Sequence, residues 1–292
     1  MRKLSFAVVG GDARQARLAE LFEREGHTVR AYVLDKYVFA GRTIHSDDLG
    51  QLCEPCDCVV LPLPVQGEPG MLLSPLSGIC ISLRRVFELL PEGQLAAAGK
   101  IGPAVYRMAE EHGIYLEDYL EREEFSVSNA VATAEGAIQI AMEELPITLH
   151  GSKCLVVGYG RIGKLLSSCL KAFGAHVTAS ARKHSDIAWI RAYGCEALHT
   201  NRLDGMLRDF DVVFNTVPHE VLGAPLLEEL KEGCLCVDLA SKPGGIDFEN
   251  AKKLGIKTIW ALSLPGKVAP VTAGNILKET IINIIENREG QK

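Results

Sequence analysis

Short continuous apolar runs alternate along this chain with stretches whose apolar positions recur at helical spacing. In the first half, residues 4–9, 27–34, 58–63 and 114–119 read as strands, and 95–100 as a short strand or turn. Residues 14–25 read as a helix with Ala16, Leu18, Ala19, Leu21 and Phe22 on its apolar side, and 104–112 as another. Residues 78–81 lie near a loop-to-strand step. A second series follows, with strands at 155–157, 176–179, 195–198, 211–215, 234–239 and 258–261. Leu165, Leu166, Cys169, Leu170 and Phe173 mark a helix after the first of these, and another is expected near 225–230. Such alternation predicts parallel sheets covered by helices. Between the two series, Val131, Ala134, Ile138, Met142 and Leu145 form the stripe of a linker helix over 129–145, capped by Ser128 or Asn129 and ended by Pro146. A last helix over 272–286 carries Ala273, Ile276, Leu277, Ile281, Ile284 and Ile285.

The expected fold is therefore α/β, with two doubly wound parallel-sheet domains. The first, at 1–127, is flavodoxin-like or Rossmann-like and suits a substrate; a linker helix spans 128–147. A Rossmann dinucleotide-binding domain occupies 148–264, and 265–292 supply a cleft loop and a C-terminal helix returning to the first domain. A length of 292 residues suits about two domains, and a hydrophobic share of 47% suffices for two cores. The net charge of −6, without a basic tract, argues against nucleic acid and anionic membranes as partners. The charged start followed by residues 4–9 is too short for a signal peptide, and no run is long enough to span a membrane. Nine cysteines scattered singly fit a reducing cytoplasm. Cys53, Cys56 and Cys58 include a C-x-x-C, but no second pair or close histidines complete a metal site, so no metal is expected.

The chemistry centres on Gly158-Tyr159-Gly160-Arg161-Ile162-Gly163, a G-x-G-x-x-G between a strand and a helix. The first glycine allows the turn and the second admits a pyrophosphate to the backbone. The third lets helix and strand pack closely, with the helix N-terminus facing the anion. An NAD site usually carries an acid at the end of the second strand. Here Ser180, Arg182 and Lys183 stand in that region, a hydroxyl and two cations suited to a 2′-phosphate, so NADP(H) is expected over NAD. The competing reading is that the two cations begin a solvated loop. Thr216, Val217 and Pro218 at one strand end, and Asp238 and Ala240 at the next, are the expected nicotinamide-side contacts, with His219 a weaker proton carrier.

In the first half, Asp12, Arg14 and Gln15 follow two glycines at a strand's carboxyl end, where open α/β sheets bind ligands. Arg14 and Gln15 suit an anionic substrate; in the alternative, Asp12 caps the helix and Arg14 is solvated. Glu135 falls inside the linker stripe, where a buried carboxylate needs a partner, and Gly136 beside it allows close approach. Lys267 sits in a loop stiffened by Pro265 and Pro270, expected in the interdomain cleft, and Thr272 opens the helix beyond.

The chain resembles the A subunits of bacterial dipicolinate synthases over nearly its whole length. The resemblance rests on GGDARQ (10–15), TAEGAI (133–138), GYGRIGK (158–164), NTVP (215–218), DLASKPGGIDF (238–248) and LPGKVAPVTAGNIL (264–277). GYGRIGK alone also resembles D-2-hydroxyacid dehydrogenases and adenosylhomocysteine hydrolases. The late Glu and His pair of the former is not evident here, and the chain is too short for the latter. The resemblance implies oxidation of dihydrodipicolinate, or a hydroxytetrahydro precursor, to pyridine-2,6-dicarboxylate in the mother-cell cytoplasm of a sporulating bacterium. The implied partner is a smaller, flavoprotein-like B subunit; a homo-oligomer is also expected. Two substrate carboxylates need cations: Arg14 and Lys267 first, Arg84 or Arg85 second. Glu135 or Asp12 would be the base. Two alternatives stand: a nucleotide- and substrate-binding subunit whose partner's flavin takes the hydride, and a 2-hydroxyacid dehydrogenase.

Overall fold

The computed structural model describes residues 2–46 and 48–290, and the chain divides into two compact units, Met1–Ser126 with Val271–Lys292 and Val127–Pro270. The first contains β1 (Ser5–Val9), α1 (Ala13–Arg24), β2 (Thr28–Tyr32), β3 (Ile44–His45), β4 (Cys58–Val60), α2 (Leu83–Leu89), β5 (Leu95–Ala98), α3 (Pro103–Glu111) and β6 (Tyr115–Asp118). The helix α4 (Glu123–Glu144) carries the chain into the second. There follow β7 (Lys153–Val157), α5 (Arg161–Ala172), β8 (His176–Ala181), α6 (His184–Ala192), β9 (Glu196–His199) and β10 (Val212–Asn215). Next come α7 (Ala224–Leu227), β11 (Leu235–Asp238), α8 (Phe248–Lys253), β12 (Lys257–Trp260) and α9 (Leu264–Val268). The last helix, α10 (Pro270–Glu289), belongs to the first unit but for its first residue.

Both sheets are parallel throughout. Their orders are β3-β2-β1-β4-β5-β6 and β12-β11-β10-β7-β8-β9. Renumbered from its own first strand, each reads 3-2-1-4-5-6, the order of two mononucleotide-binding halves joined at a switch point. The switch points lie between β1 and β4 and between β7 and β10.

The continuous apolar runs have a direct cause. Successive strand side chains point to opposite faces, and here both faces are covered. Cys154 and Val156 of β7 join one core while Leu155 and Val157 join another. Phe6 and Val8 of β1 pack with Phe22 and with Leu277, Ile281, Ile284 and Ile285 of α10, whereas Ala7 and Val9 face the other side. Within that unit the Lys278 ammonium is buried and paired with Glu25.

Several expectations need correction. The linker helix starts at Glu123, so Ser128 and Asn129 are interior positions and not its cap. Its buried residues include Phe125, Ala130, Ala132, Ala134, Ala137, Ile138 and Ala141, with Leu145 buried just past its end, while Val131 and Met142 are exposed. Residues 264–268 are the short helix α9 and not an irregular loop, and α10 begins two residues before Thr272. The helices α2, α6 and α8 and the two-residue strand β3 carry too little apolar periodicity to be read from sequence. No described helix is long and apolar enough to cross a membrane.

Candidate functional site

In the second unit the three fingerprint glycines meet different constraints. Gly158 has φ +96°, and a Cβ there would press on Thr216 Oγ1 and lie 2.8 Å from Val217 Cγ2. A Cβ on Gly163 would strike the Gly158 carbonyl oxygen, so α5 lies against the end of β7 with no room for a side chain. Gly160 is the reverse case: its added Cβ would meet nothing within 4 Å. Gly160 is exposed and opens α5 without any side-chain cap, leaving first-turn N–H groups without one. Packing within the protein explains Gly158 and Gly163, whereas Gly160 borders open space at a helix N-terminus. That is the shape a pyrophosphate needs. Thr216 locks the floor of this cradle, donating from N and from Oγ1 to the Val157 carbonyl at 2.9 Å each. Ile162 packs into the core below, Arg161 is exposed, and the Lys164 ammonium lies 5.9 Å from the centre of the buried Tyr159 ring.

On the β8 side the expected 2′-phosphate contacts separate. Strand β8 runs on to Ala181, so Ser180 is a strand residue, 0% exposed, whose hydroxyl accepts from Thr200 Oγ1 at 3.2 Å. Ser180 is therefore withdrawn as a ligand contact. Arg182 and Lys183 stand just beyond the strand, exposed, and neither side chain has a hydrogen bond or ion pair among the described residues.

On the β10 and β11 side, Asp238 is also corrected. It is 0% exposed, and both carboxylate oxygens are occupied by protein donors. Oδ1 accepts from Asn215 Nδ2 at 2.8 Å and from Ala240 N at 3.0 Å, and Oδ2 accepts from Gly245 N at 2.7 Å. Asn215, equally buried, also donates to the Val217 carbonyl at 2.9 Å and accepts from Val217 N at 3.1 Å. Ala240 is buried, and its carbonyl accepts from Trp260 Nε1 at 3.0 Å. Asp238 and Ala240 thus hold the strand ends in place and offer a ligand no free polar side chain. Thr216 and Val217 are half-buried, and Pro218 and His219 are exposed. A Cβ on Gly244 would lie 2.8 Å from Asp238 Oδ2, and sequence reasoning missed the role of Asn215, Gly244 and Gly245. The signal was present as a glycine pair shortly after an acid that ends an apolar strand.

In the first unit, Asp12 and Arg14 do come together, at the switch point. Arg14 Nε and Nη2 donate to Asp12 Oδ1 at 3.0 Å and Oδ2 at 2.8 Å, and Nη2 also donates to the Leu63 carbonyl. Arg14 Nη1 has no partner among the described residues. Asp12 caps α1 in a capping box with Gln15. Gln15 is 0% exposed, its Oε1 accepting from Asp12 N at 3.2 Å, so it is no surface contact for a substrate. This loop is no second nucleotide cradle either. A Cβ on Gly11 would run into the Gln15 side chain, and Gly11 N donates to the Leu73 carbonyl at 2.7 Å.

Burial acts to raise the Asp12 carboxyl, but the hydrogen bonds and charge of Arg14 outweigh it and leave Asp12 below its ordinary value. A carboxylate held this way is a poor base, which removes Asp12 from that role. It also sets a pH dependence. A folded value below the unfolded one stabilises the protein above the ordinary Asp range, about 3.9. That contribution is lost as pH falls through the lower folded value. Asp12→Asn is expected to lower stability at neutral pH and to flatten the acid limb of the stability curve. Urea unfolding followed by circular dichroism from about pH 3 to about pH 7 reads it; an unchanged limb would show that the pair contributes nothing.

Glu135 is the clearest correction. It is exposed on α4 and lines a surface groove with Ile138, Met142, Cys169 and Phe173. Cys169 lies toward the far end of α5 and Phe173 is its C-cap; Cys169 stands nine positions along from Gly160, roughly 13 Å. The exposure of Glu135 removes the buried setting that called for a partner. Gly136, by contrast, does serve close approach, since a Cβ would lie 3.2 Å from Val268 Cγ1 and 3.3 Å from Leu264, seating α9 on α4. Lys267 on α9 is exposed without a partner among the described residues, and Thr272 is exposed in the first turn of α10. Arg84 and Arg85 are exposed and paired with Glu111 at 3.5 Å and Glu88 at 3.2 Å.

Two family models match successive parts of the chain. Residues 5–120 match the family of N-terminal domains of the dipicolinate synthase A subunit, and residues 122–241 the NAD binding domain of D-isomer specific 2-hydroxyacid dehydrogenases. The A subunit of dipicolinate synthase from Bacillus subtilis (strain 168) is 29% identical over 293 residues, covering 99% of this chain and 98% of that protein. The crystal structure of the B. subtilis protein has a TM-score of 0.89 and covers 100% of this chain and 99% of that one, at 29% identity. The corresponding structure from Bacillus halodurans has a TM-score of 0.84 at 31% identity, with 97% of each chain covered.

Proposed function

The chain belongs to the family of dipicolinate synthase A subunits and carries an NAD-binding domain of dehydrogenase type, and from that premise we propose that it oxidises dihydrodipicolinate, or its 4-hydroxytetrahydro precursor, to pyridine-2,6-dicarboxylate with NADP. The observation that carries the reading is the cradle around Gly160, joined to Arg182 and Lys183 directly after β8, two exposed cations without a partner among the described residues. When bound, the nicotinamide accepts a hydride. From dihydrodipicolinate one C–H leaves as hydride and one ring proton leaves to water; from the hydroxylated precursor a water is also lost. Aromatisation supplies the driving force, and the protein supplies alignment. Asp12, held by Arg14, is a poor base, and Glu135 lies exposed on α4 beside the far end of α5, so neither is our candidate for that role. Arg14, through its open Nη1, and Lys267 are our candidates for the substrate carboxylates, with Thr272 as a hydroxyl contact.

The relatives are described as one subunit of a synthase, which supports a second reading. In it the chain works with a smaller, flavoprotein-like B subunit in the mother cell of a sporulating bacterium, and the partner's flavin takes the hydride. Assays of the chain alone, and of the chain with its partner, separate the two readings; lactate and glycerate serve as comparison substrates.

The cofactor assignment is tested by calorimetry of NADP(H) and NAD(H) on the full chain and on Arg182→Ala. A charge-assisted hydrogen bond contributes about 1.5–3 kcal/mol, so the variant should bind NADP(H) about 10–100-fold more weakly and NAD(H) unchanged. Equal loss for both dinucleotides would remove Arg182 from the 2′-phosphate. A wild-type preference for NAD(H) would overturn the NADP assignment.

A further inference from the structure

The turn just beyond β11 carries a cation that none of the readings above uses. With the fingerprint at β7 and the 2′-phosphate cations beyond β8, the sheet order leaves the carboxyl ends of β10 and β11 for the nicotinamide half of the dinucleotide. Residues 241–245 lie at that end. Their fold is over-determined. Gly244 N donates to the Ser241 carbonyl at 2.9 Å and closes a turn with Lys242 at its first central position. On one side of the turn Ala240 N, and on the other Gly245 N, donate to the same buried carboxylate, Asp238.

The turn is also packed toward the cradle. A Cβ on Gly245 would crowd the Val217 carbonyl and the Asn215 side chain, and Val217 is in turn the residue against which Gly158 sits. Val217 thus lies between Gly245, at the end of the turn, and Gly158 of the fingerprint. Lys242 itself is exposed, and its ammonium has no hydrogen bond or ion pair among the described residues. A solvated loop lysine does not require a buried aspartate, a buried asparagine and two tightly packed glycines to fix its backbone; a ligand-binding lysine does.

We propose that Lys242 is a substrate-binding residue, which pairs with a carboxylate of the substrate at the nicotinamide end of the cofactor site. This rests on the dicarboxylate reading above and extends it. An ammonium suits one carboxylate as a rotatable point charge. The hydride donor carbon of such a substrate lies within a ring bond or two of a carboxyl-bearing carbon, so a cation fixed on the strand ends would orient the C–H as well as bind.

The test uses the full-length chain saturated with NADP⁺. Pyridine-2,6-dicarboxylate and pyridine-2-carboxylate are titrated by calorimetry into the wild type, Lys242→Ala, Lys242→Gln, Lys242→Arg and, as a control for loss of one surface charge, Lys252→Ala. Lys242→Ala and Lys242→Gln should weaken the dicarboxylate about 10–100-fold, with Lys242→Arg recovering most of the loss and the control unchanged. NADP⁺ affinity should stay within about twofold in all of them, a change of less than half a decade. In turnover by the chain with its partner protein, KM should rise more than kcat falls. Dicarboxylate binding as tight in Lys242→Gln as in wild type overturns the proposal. So does a loss of NADP⁺ affinity equal to the loss of dicarboxylate, which would make Lys242 a cofactor contact. If the wild type binds neither pyridine carboxylate, the substrate reading itself fails and the proposal with it.

Discussion

Gly163→Ala is expected to cost stability and cofactor binding together. The added methyl would strike the Gly158 carbonyl oxygen and lie 3.0 Å from its carbonyl carbon. Both are backbone atoms, so no rotamer change relieves the clash and α5 must lift from the end of β7. Overpacking of this kind costs about 1–3 kcal/mol. The lift also moves the first-turn N–H groups away from where a pyrophosphate would be held, and NADP(H) affinity should fall at least about tenfold. Gly160→Ala is the control that separates the two effects. Its methyl enters empty space, so the melting temperature should hold while affinity falls, because that space is the ligand's. A Gly163→Ala protein that melts and binds like wild type would mean that the third glycine does not set the packing of α5. A Gly160→Ala protein with undiminished affinity would mean that the open space is not the phosphate site.

The parts that are legible in the sequence share a physical origin. Glycine spacing in 158–163 is local, and its consequences for turn and helix start are local too. The strands are legible because two covered faces turn each one into a continuous apolar run. The corrected expectations share another origin. The phase of α4 is obscured in the sequence because its buried face is built from Ala130, Ala134, Ala137 and Ala141, small residues with a weak signal, while the larger Val131 and Met142 point outward. A face shifted by about one position is enough to turn Glu135 to the surface. At Ser180 the cause is strand length: β8 ends at Ala181, two residues past the expected 179, and an extra pair of strand residues places the hydroxyl inside. At Asp12 the capping half of the alternative holds, since α1 needs its orphan N–H groups satisfied before any ligand can use them, but Arg14 is paired with Asp12 and the Leu63 carbonyl and is not simply solvated. Of the Asp238 network, Ala240 and Gly245 are close in sequence and leave a signal there, whereas Asn215 is brought alongside only by the pairing of β10 with β11.

That network yields the other large effect. Asp238→Ala is expected to destabilise the second unit severely. The substitution strands Ala240 N and Gly245 N without an acceptor and removes one of two acceptors from Asn215 Nδ2, all in a region where Asn215 and Asp238 are 0% exposed. A buried donor left unsatisfied costs about 1–3 kcal/mol, so the total should reach about 3 kcal/mol or more. Against a domain stability of about 5–15 kcal/mol this is a large fraction. Asp238→Asn should fall between, because an amide keeps one acceptor oxygen but sets an NH₂ against at least one N–H donor. Both tryptophans, Trp189 and Trp260, lie within Val127–Pro270, so tryptophan fluorescence during urea unfolding reads this unit alone. Trp260 is itself bonded to the Ala240 carbonyl, which makes its emission sensitive to the loosened strand end before global unfolding. The expected order of urea midpoints, from highest to lowest, is wild type, Asp238→Asn, Asp238→Ala. If Asp238→Ala unfolds at the wild-type midpoint, the carboxylate does not hold the strand ends. The turn bearing Lys242 would then have no fixed support, and the case for that lysine would lose its geometric basis.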